Sequence, residues 1–450
     1  MVNRVVSESR YNAYPEYKES GVDDFPQIPL HWVVGRVKFV TDNLDKFRIP
    51  LSSEERGKRQ GKYPYYGASG VIDYVDDYIF EGETILYGED GANLLARSTP
   101  LAFLADGKYW VNNHAHILKA KDRINRYWAR SLNNIDIAPL VSGSAQPKLT
   151  AEALGNLPVV YPPTESERIK ITNFLDHETA KIDTLIEEQQ SLIRLLKEKR
   201  QALISHAVTK GLNPNAPMKD SGVEWLGEVP EHWRVTKLGQ LAFMQEGPGL
   251  RTWQFKDDGT RVICVTNITE DGINFSKLEK FISTDEYKES YQHFTVNKGD
   301  ILLSSSGNSW GKVATYEGSE KVILNTSTIR LNELQHKPLV LDYIQLFLQS
   351  EACREQLGVA MTGSCQPNFG PTHLKEAKTP IPPEDEQVEI SRFIAAQKQQ
   401  FNQPIEACEQ AVEFMQERRT ALISAAVTGK IDVRDWQPAK QKEHPAEATA

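Results

Sequence analysis

One stretch of this chain occurs twice, and that repetition restricts the possible folds more than any other feature. Ser20-Gly21-Val22 through Pro29, His31, Trp32 and Val34 returns as Ser221-Gly222-Val223 through Pro230, His232, Trp233 and Val235, with seven of fifteen aligned positions identical at an offset of 201. Gly143-Ser144-Ala145-Gln146-Pro147 returns as Gly363-Ser364-Cys365-Gln366-Pro367, and Pro162-Pro163 as Pro382-Pro383, both at 220. Arg200 to Thr209 returns as Arg419 to Thr428, at 219. Such self-similarity means two copies of one folded unit, here spanning about 20–210 and 221–430. The ends of the copies are alike while the offset drifts between them, so the divergence lies in the middle. An echo there, Asn113-His114-Ala115-His116-Ile117 against Asn325-Thr326-Ser327-Thr328-Ile329, sets the local offset at 212. A shared frame with unlike centres suits two modules that read two different targets.

Each copy closes on a helical pattern. After the Pro162-Pro163 stop, Glu165 and Glu167 place acids in a first turn, where the helix dipole favours them. Leu175, Ile182, Leu185, Leu192, Leu196 and Leu203 then follow at heptad spacing. A helix to about Val208 runs roughly 40 residues, on the order of 60 Å at about 1.5 Å per residue. No single globular core needs that length. The second copy sets Phe401, Met415 and Leu422 on the corresponding seam, and Pro404 is expected to kink or interrupt it. The two helices are therefore expected to pair with each other, antiparallel, within one chain. Between the ends, runs such as Thr84 to Tyr87, Val262 to Val265 and Asp300 to Leu303, bounded by Gly, Asp and Asn, read as short strands. The fold class is mixed α/β (α+β) with an internal pseudo-twofold repeat.

Composition bounds the class. The 450 residues allow two to four domains, and the formal charge of −9 argues against a purely electrostatic nucleic-acid binder. Cys264, Cys353, Cys365 and Cys408 form no C-x-x-C pair, so they read as buried thiols in a reducing cytoplasm. No apolar run of membrane-spanning length is present, and the chain is expected to be cytoplasmic, with no membrane partner.

No catalytic constellation is complete. Gly307-Asn308-Ser309-Trp310-Gly311-Lys312-Val313 is one residue short of a phosphate-binding P-loop and lacks its hydroxyl. Tyr161-Pro162-Pro163-Thr164 and Ile381-Pro382-Pro383-Glu384 lack the amide and the ring of an amino-methyltransferase motif and read as helix-start punctuation. Glu16-Tyr17-Lys18 and Glu286-Tyr287-Lys288 resemble only the tail of a nuclease motif. His114 and His116 would share a strand face, yet no ligand cluster stands nearby in sequence, so no metal is expected. Binding chemistry remains. Arg56, Lys58, Arg59 and Lys62 are followed by Tyr63, with no acid between Arg56 and Lys62, a composition suited to phosphate contact and ring packing. Arg251 and Trp253, near Gly247, Gly249 and Lys256, give the second copy a similar stretch. The loops carrying Ser144, Gln146 and Lys148, and Ser364, Gln366 and Asn368, offer groups that pair with base edges or phosphates. Asn113, His114, Asn308, Lys312, Asn325 and Thr326 complete the candidate DNA-binding set; no residue is assigned a catalytic role.

The run from Ala202 to Trp233 (ALISHAVTKGLNPNAPMKDSGVEWLGEVPEHW), with its second ending ALISAAVTGKIDV from Ala421 to Val433, resembles the specificity subunit of type I restriction–modification systems, over nearly all of residues 15–435. The resemblance implies a first target recognition domain at 1–160, a central spacer helix at 161–210, a second recognition domain at 211–380, a second spacer helix at 381–430 and a disordered tail at 431–450. It implies a non-catalytic DNA-binding subunit that reads a bipartite double-stranded target. Two methyltransferase subunits would dock on its helices, with restriction subunits left open as further partners. S-adenosylmethionine, and ATP and Mg for restriction, would then belong to those partners, with no cofactor on this chain. The competing reading is a coiled-coil assembly scaffold whose central domains bind protein.

Overall fold

A computed structural model describes residues 11–438 except 144–145, 271, 277, 335–339 and 362–367. The chain divides into two compact units, Met1–Glu188 with Ala411–Ala450, and Gln189–Gln410. The first division falls inside a helix, Glu165–Lys210, and the second inside another, Glu384–Val427. Among the described residues no helix is long and apolar enough to cross a membrane.

The first unit holds an antiparallel sheet in the order Thr41–Asn43, Ala115–Ala120, Thr84–Gly88, Ala102–Ala105. Thr84–Gly88 is buried at every position, which is why it reads as an unbroken apolar run instead of an alternating one. A second sheet has the order Gly70–Val75, Gln60–Gly67, Lys108–Val111, Phe80–Glu81, and its Gln60–Gly67 and Lys108–Val111 strands run parallel. The other unit repeats the plan. Its antiparallel sheet runs Ala242–Glu246, Thr328–Glu333, Ile301–Ser304, Val313–Thr315. Its second sheet again contains one parallel pair, Thr260–Ile263 with Val322–Leu324. The expected strands at Thr84, Val262 and Asp300 are thus present within a residue or two.

These ladders correct the sequence register. Ala115 faces Gly88 while Thr328 faces Ser304, and the next backbone bonds are Glu89 N–H to the His114 carbonyl and Ser305 N–H to the Ser327 carbonyl. His114 therefore matches Ser327 at an offset of 213, one more than the Asn113 echo gave, and His116 matches Ile329.

The repeated ends explain themselves in packing. The His-Trp pair of each copy clamps a glutamate in the first turn of a long helix. Trp32 Nε1 donates to Glu167 (3.1 Å), beside His31 Nε2 at 2.9 Å and the Tyr14 hydroxyl at 2.8 Å. Trp233 Nε1 donates to Glu386 (3.1 Å), beside His232 Nε2 at 2.8 Å. Glu167 is thus a buried acceptor as well as a dipole partner. The helix C-termini are also used. Ala426 and Val427 enter the core of the first unit with Trp32, and Ile204, Ala207 and Val208 enter that of the second with Trp233. Each helix stops at a left-handed glycine, Gly211 (φ 75°) and Gly429 (φ 76°). At Gly429 a Cβ would stand 2.4 Å from Pro29, so nothing larger fits.

The helices lie antiparallel within each unit. In the second, Lys197 pairs with Glu409 (3.2 Å) and Arg200 with Asn402 (2.7 Å); in the first, Arg419 pairs with Asp183 (2.7 Å). Three sequence expectations need correction. Leu175 and Ile182 are buried, and Leu196, Leu203, Phe401, Met415 and Leu422 are half-buried, but Leu185 and Leu192 are 48% and 42% exposed. A straight helix drifts about 20° per heptad from a strict seam, which carries such positions away from the paired face. Pro404 does not interrupt the second helix: it sits on an exposed face, the buried Ile405 and Cys408 hold the turn, and only the bond to the Gln400 carbonyl is forgone. Residues 431–436 are packed where disorder was expected, with Ile431 and Val433 buried and Trp436 against Phe174 at 5.4 Å; 439–450 lie outside the described residues. Cys264, Cys353 and Cys408 are buried thiols, and Cys365 lies outside the described set.

Candidate nucleic-acid interface

In the first unit, the loop 142–148 is pinned at its base because Ser142 and Lys148 exchange both backbone hydrogen bonds, at 2.9 and 2.8 Å. Leu149 N–H then donates to the Glu89 carbonyl (2.8 Å), and Glu89 N–H to the His114 carbonyl (2.9 Å). The edge of the sheet formed by the ends of its two central strands therefore gathers exposed Asn113, half-buried His114, and exposed Gln146 and Lys148. Ser144 lies outside the described residues.

Beneath this edge is a charge network. His116, 1% exposed, donates from Nδ1 to Asp45 (2.6 Å) and from Nε2 to the Leu149 carbonyl (2.9 Å). Two acceptors require both ring nitrogens to carry protons, so the ring is an imidazolium. Burial presses its pKa down, but Asp45 and the Leu149 carbonyl outweigh this and leave it raised. Asp45 and Glu89 show the converse. Burial raises both, while His116 and the Ile117 N–H for Asp45, and Arg48 and His116 for Glu89, bring each below its ordinary value. Arg48 binds Glu89 at 2.7 Å, and Lys148 Nζ stands 3.1 Å from the other Glu89 oxygen. His114 pairs with Asp90 at 2.7 Å. Neither histidine joins a metal-ligating cluster among the described residues. Sequence reasoning missed Asp45, Arg48 and Glu89; only the Gly88-Glu89-Asp90-Gly91 turn hinted that charge collects there.

The basic stretch at 56–62 is placed differently from its sequence impression. Arg56 binds Asp73 (2.9 Å) and lies over the Tyr65 ring, Arg59 binds Asp76 (2.9 Å) over Trp110, and Lys58 meets Glu54 at 2.6 Å. Asp73 comes from the neighbouring strand and Asp76 from just beyond its end, while Glu54 lies one turn earlier in the same short helix as Lys58. Lys62 packs over Tyr63, which itself contacts Tyr78.

The second unit builds the same edge without the Glu89–His116 pair, and one carboxylate, Glu246, accepts from the Ser327 N–H there (3.0 Å). Ser306 bridges Asn368, and Phe369 N–H donates to the Ser305 carbonyl, so Ser305 and Ile329 stand where Glu89 and His116 stand in the first. Asn325 is half-buried, and Thr326, Asn308 and Asn368 are exposed; Ser364 and Gln366 lie outside the described residues. Ser304 and Ser305 are fully buried, and their hydroxyls have no hydrogen-bond partner among the described residues. Gly247 lets the next loop approach this edge: a Cβ there would meet the Asn325 carbonyl at 2.2 Å. That loop carries exposed Arg251 and Trp253, the latter 73% exposed. Lys312 is half-buried in a separate cleft.

Two units of one topology, with unlike polar edges, are thus on one chain. The profile of the family described as "Type I restriction modification DNA specificity domain" matches residues 29–194 and again 230–407. The chain belongs to this family. Among proteins similar to this member of the specificity family is the MjaVIII type I restriction enzyme specificity subunit of Methanocaldococcus jannaschii, 21% identical over 434 residues, which are 93% of this chain and 98% of that one. A Haemophilus influenzae protein with the designation of type I restriction enzyme specificity subunit is 29% identical over 384 residues, 84% of this chain and 91% of that one. A solved structure titled for complex assembly and conformational transition of the type I R-M system shares the fold, with a TM-score of 0.56 at 14% identity, covering 90% of this chain and 99% of that one.

Proposed function

We propose that this chain is the non-catalytic reader of a bipartite double-stranded DNA target, one half-site per unit, and that its long helices dock two methyltransferase subunits. Restriction subunits would join through those. The observation that carries this reading is the pair of edges: identical in topology, yet built on Asn113, His114, Gln146 and Lys148 in one unit and on Asn308, Asn325, Thr326 and Asn368 in the other. Amide, hydroxyl and basic groups at such an edge suit both base edges and phosphates. Methyl transfer would use S-adenosylmethionine on the partners, and restriction their ATP and Mg, in the cytoplasm. Of the basic residues 56–62, the ion-paired Arg56, Lys58 and Arg59 would serve shape and phosphate contact more than they add free charge.

Exchange of residues 45–150 for the same region of a relative, followed by methylome sequencing of a host carrying the chain with its methyltransferase, tests the reading. One half of the methylated motif should change and the other persist. A change in both halves, or methylation by this chain alone with S-adenosylmethionine, would overturn it.

A further inference from the structure

The second unit contains a cleft of about 350 Å³ between its share of the long helices, the Gly307–Lys312 loop and the helices Leu341–Gln349 and Glu351–Ala360. Four cations line it, Arg200, Lys312, Arg354 and Lys398, against two carboxylates, Glu270 and Glu406. Its volume lies at the lower end of the roughly 300–1,000 Å³ usual for small-molecule sites.

The repeat supplies an internal control. The first unit has a cleft lined by four arginines, Arg97, Arg126, Arg130 and Arg419, and there the charges are largely answered. Asp176 pairs with Arg126 (3.3 Å) and Arg130 (2.6 Å), and Asp183 with Arg419 (2.7 Å). At the helix offset of 219, which relates Glu167 to Glu386 and Arg200 to Arg419, Asp176 corresponds to Ala395, Thr179 to Lys398 and Asp183 to Asn402. The second unit has therefore lost two acids and gained a base around an equivalent frame. Arg200 meets an amide, Asn402 (2.7 Å), where Arg419 meets a carboxylate. Its own ion pair, to Glu270 at 3.4 Å, is with a largely exposed partner. Lys398 donates to the Gln349 side-chain oxygen (2.8 Å), and Arg354 lies over the Trp310 ring at 5.0 Å. Among the described residues no carboxylate pairs with Lys312, Arg354 or Lys398. Burial, and then Arg200, hold the Lys398 ammonium down to about 8. A cationic cluster with Arg200, Lys312 and Lys398 half-buried and Arg354 exposed beside them is costly by itself and becomes favourable when an anion enters.

We infer that this cleft is a binding site for a phosphate-class oxyanion, held by Arg200, Lys312, Arg354 and Lys398. The near-miss P-loop Gly307 to Lys312 then has a role without nucleotide catalysis: it presents Lys312 to the anion. Two sources can supply the phosphate, a free polyphosphate or the backbone of bound DNA.

Isothermal titration of the full chain with inorganic pyrophosphate tests the site. Saturable binding is expected, weakened about tenfold or more by Lys398→Met with Lys312→Met, and measurably by Lys312→Ser alone, a loop change that spares the packed helix. Arg126→Gln, in the ion-paired cleft of the first unit, should leave it unchanged. A second arm titrates a duplex carrying the recognised motif. Competition by pyrophosphate, with a salt slope reduced by about one for each phosphate that the variants no longer engage, assigns the site to the DNA backbone. Pyrophosphate binding with duplex affinity untouched assigns it to a free anion. If pyrophosphate gives no saturable heat and duplex affinity is indifferent to the variants, the site does not exist. Failure of the unmodified chain, with its methyltransferase, to bind any duplex would instead sink the DNA-reading proposal and leave the anion site standing on its own titration.

Discussion

His116 and its match Ile329 show how one substitution changes what an edge can do. In the first unit, the imidazolium ties Asp45, and through it the Ile117 N–H (2.8 Å), to the strand that supports the 142–148 loop. Because its folded pKa is raised, the stability it confers is full below the ordinary 6.5 and is lost as pH rises through the folded value. Asp45 and Glu89 are depressed, so their contribution is present above their ordinary 3.8 and 4.5 and is lost as pH falls through the lower folded values. The network should therefore hold best between these limits. Hydrogen exchange, corrected for intrinsic rates, should show Ala115–Ala120 losing protection relative to Thr328–Glu333 as pH is raised from about 6 to about 9. An unchanged ratio would remove His116 as the cause. His116→Leu should abolish the alkaline loss and destabilise the unit by about 2 kcal/mol, since half-buried Asp45 loses its imidazolium partner while keeping Arg48 (3.6 Å) and the Ile117 N–H. None of this was legible in sequence, because Asp45 lies 71 residues from His116, and Asp73 lies 17 from the Arg56 it neutralises. The candidate residues were visible as types; their partners arrive only through strand pairing.

At the scale of elements, the long helices were legible nearly to the residue. The Pro-Pro stop, the apolar spacing and the terminal glycine are local signals, and local signals survive without tertiary information. What the spacing could not give was which seam positions stay covered, as Leu185 and Leu192 show. Pro404 belongs here too. A helix that tolerates an interior proline forgoes one hydrogen bond and takes a steric cost, so Pro404→Ala should stabilise the second unit by up to about 3 kcal/mol, read as a raised denaturant midpoint. A lowered midpoint would mean that the proline shapes the helix productively. Gly429→Ala tests the opposite end. Its Cβ would press on Pro29 and Trp32 at a positive φ, and a loss of about 1–3 kcal/mol in the first unit is expected, measured by thermal unfolding. No loss would show that the junction relaxes freely.

For the whole molecule, the duplication rather than the length of 450 residues set the domain count, and it was fully visible in the sequence. The charge of −9 averages paired clusters such as Arg56 to Arg59 with cations such as Lys312 and Lys398 that meet no carboxylate among the described residues. If the helices space the two readers, removal of one heptad from each should change the gap between half-sites in the methylated motif; an unchanged gap would dismiss that role. The placement of Ala426, Val427, Ile431 and Val433 in the core of the first unit also dictates an order of events on the ribosome. The second unit is one contiguous stretch and can close as soon as its last helix emerges, whereas the first must wait, its core open, for residues made some 240 positions after Glu188. The half of the protein that is synthesised first is the half completed last, and it is the one exposed to misassembly in the interval.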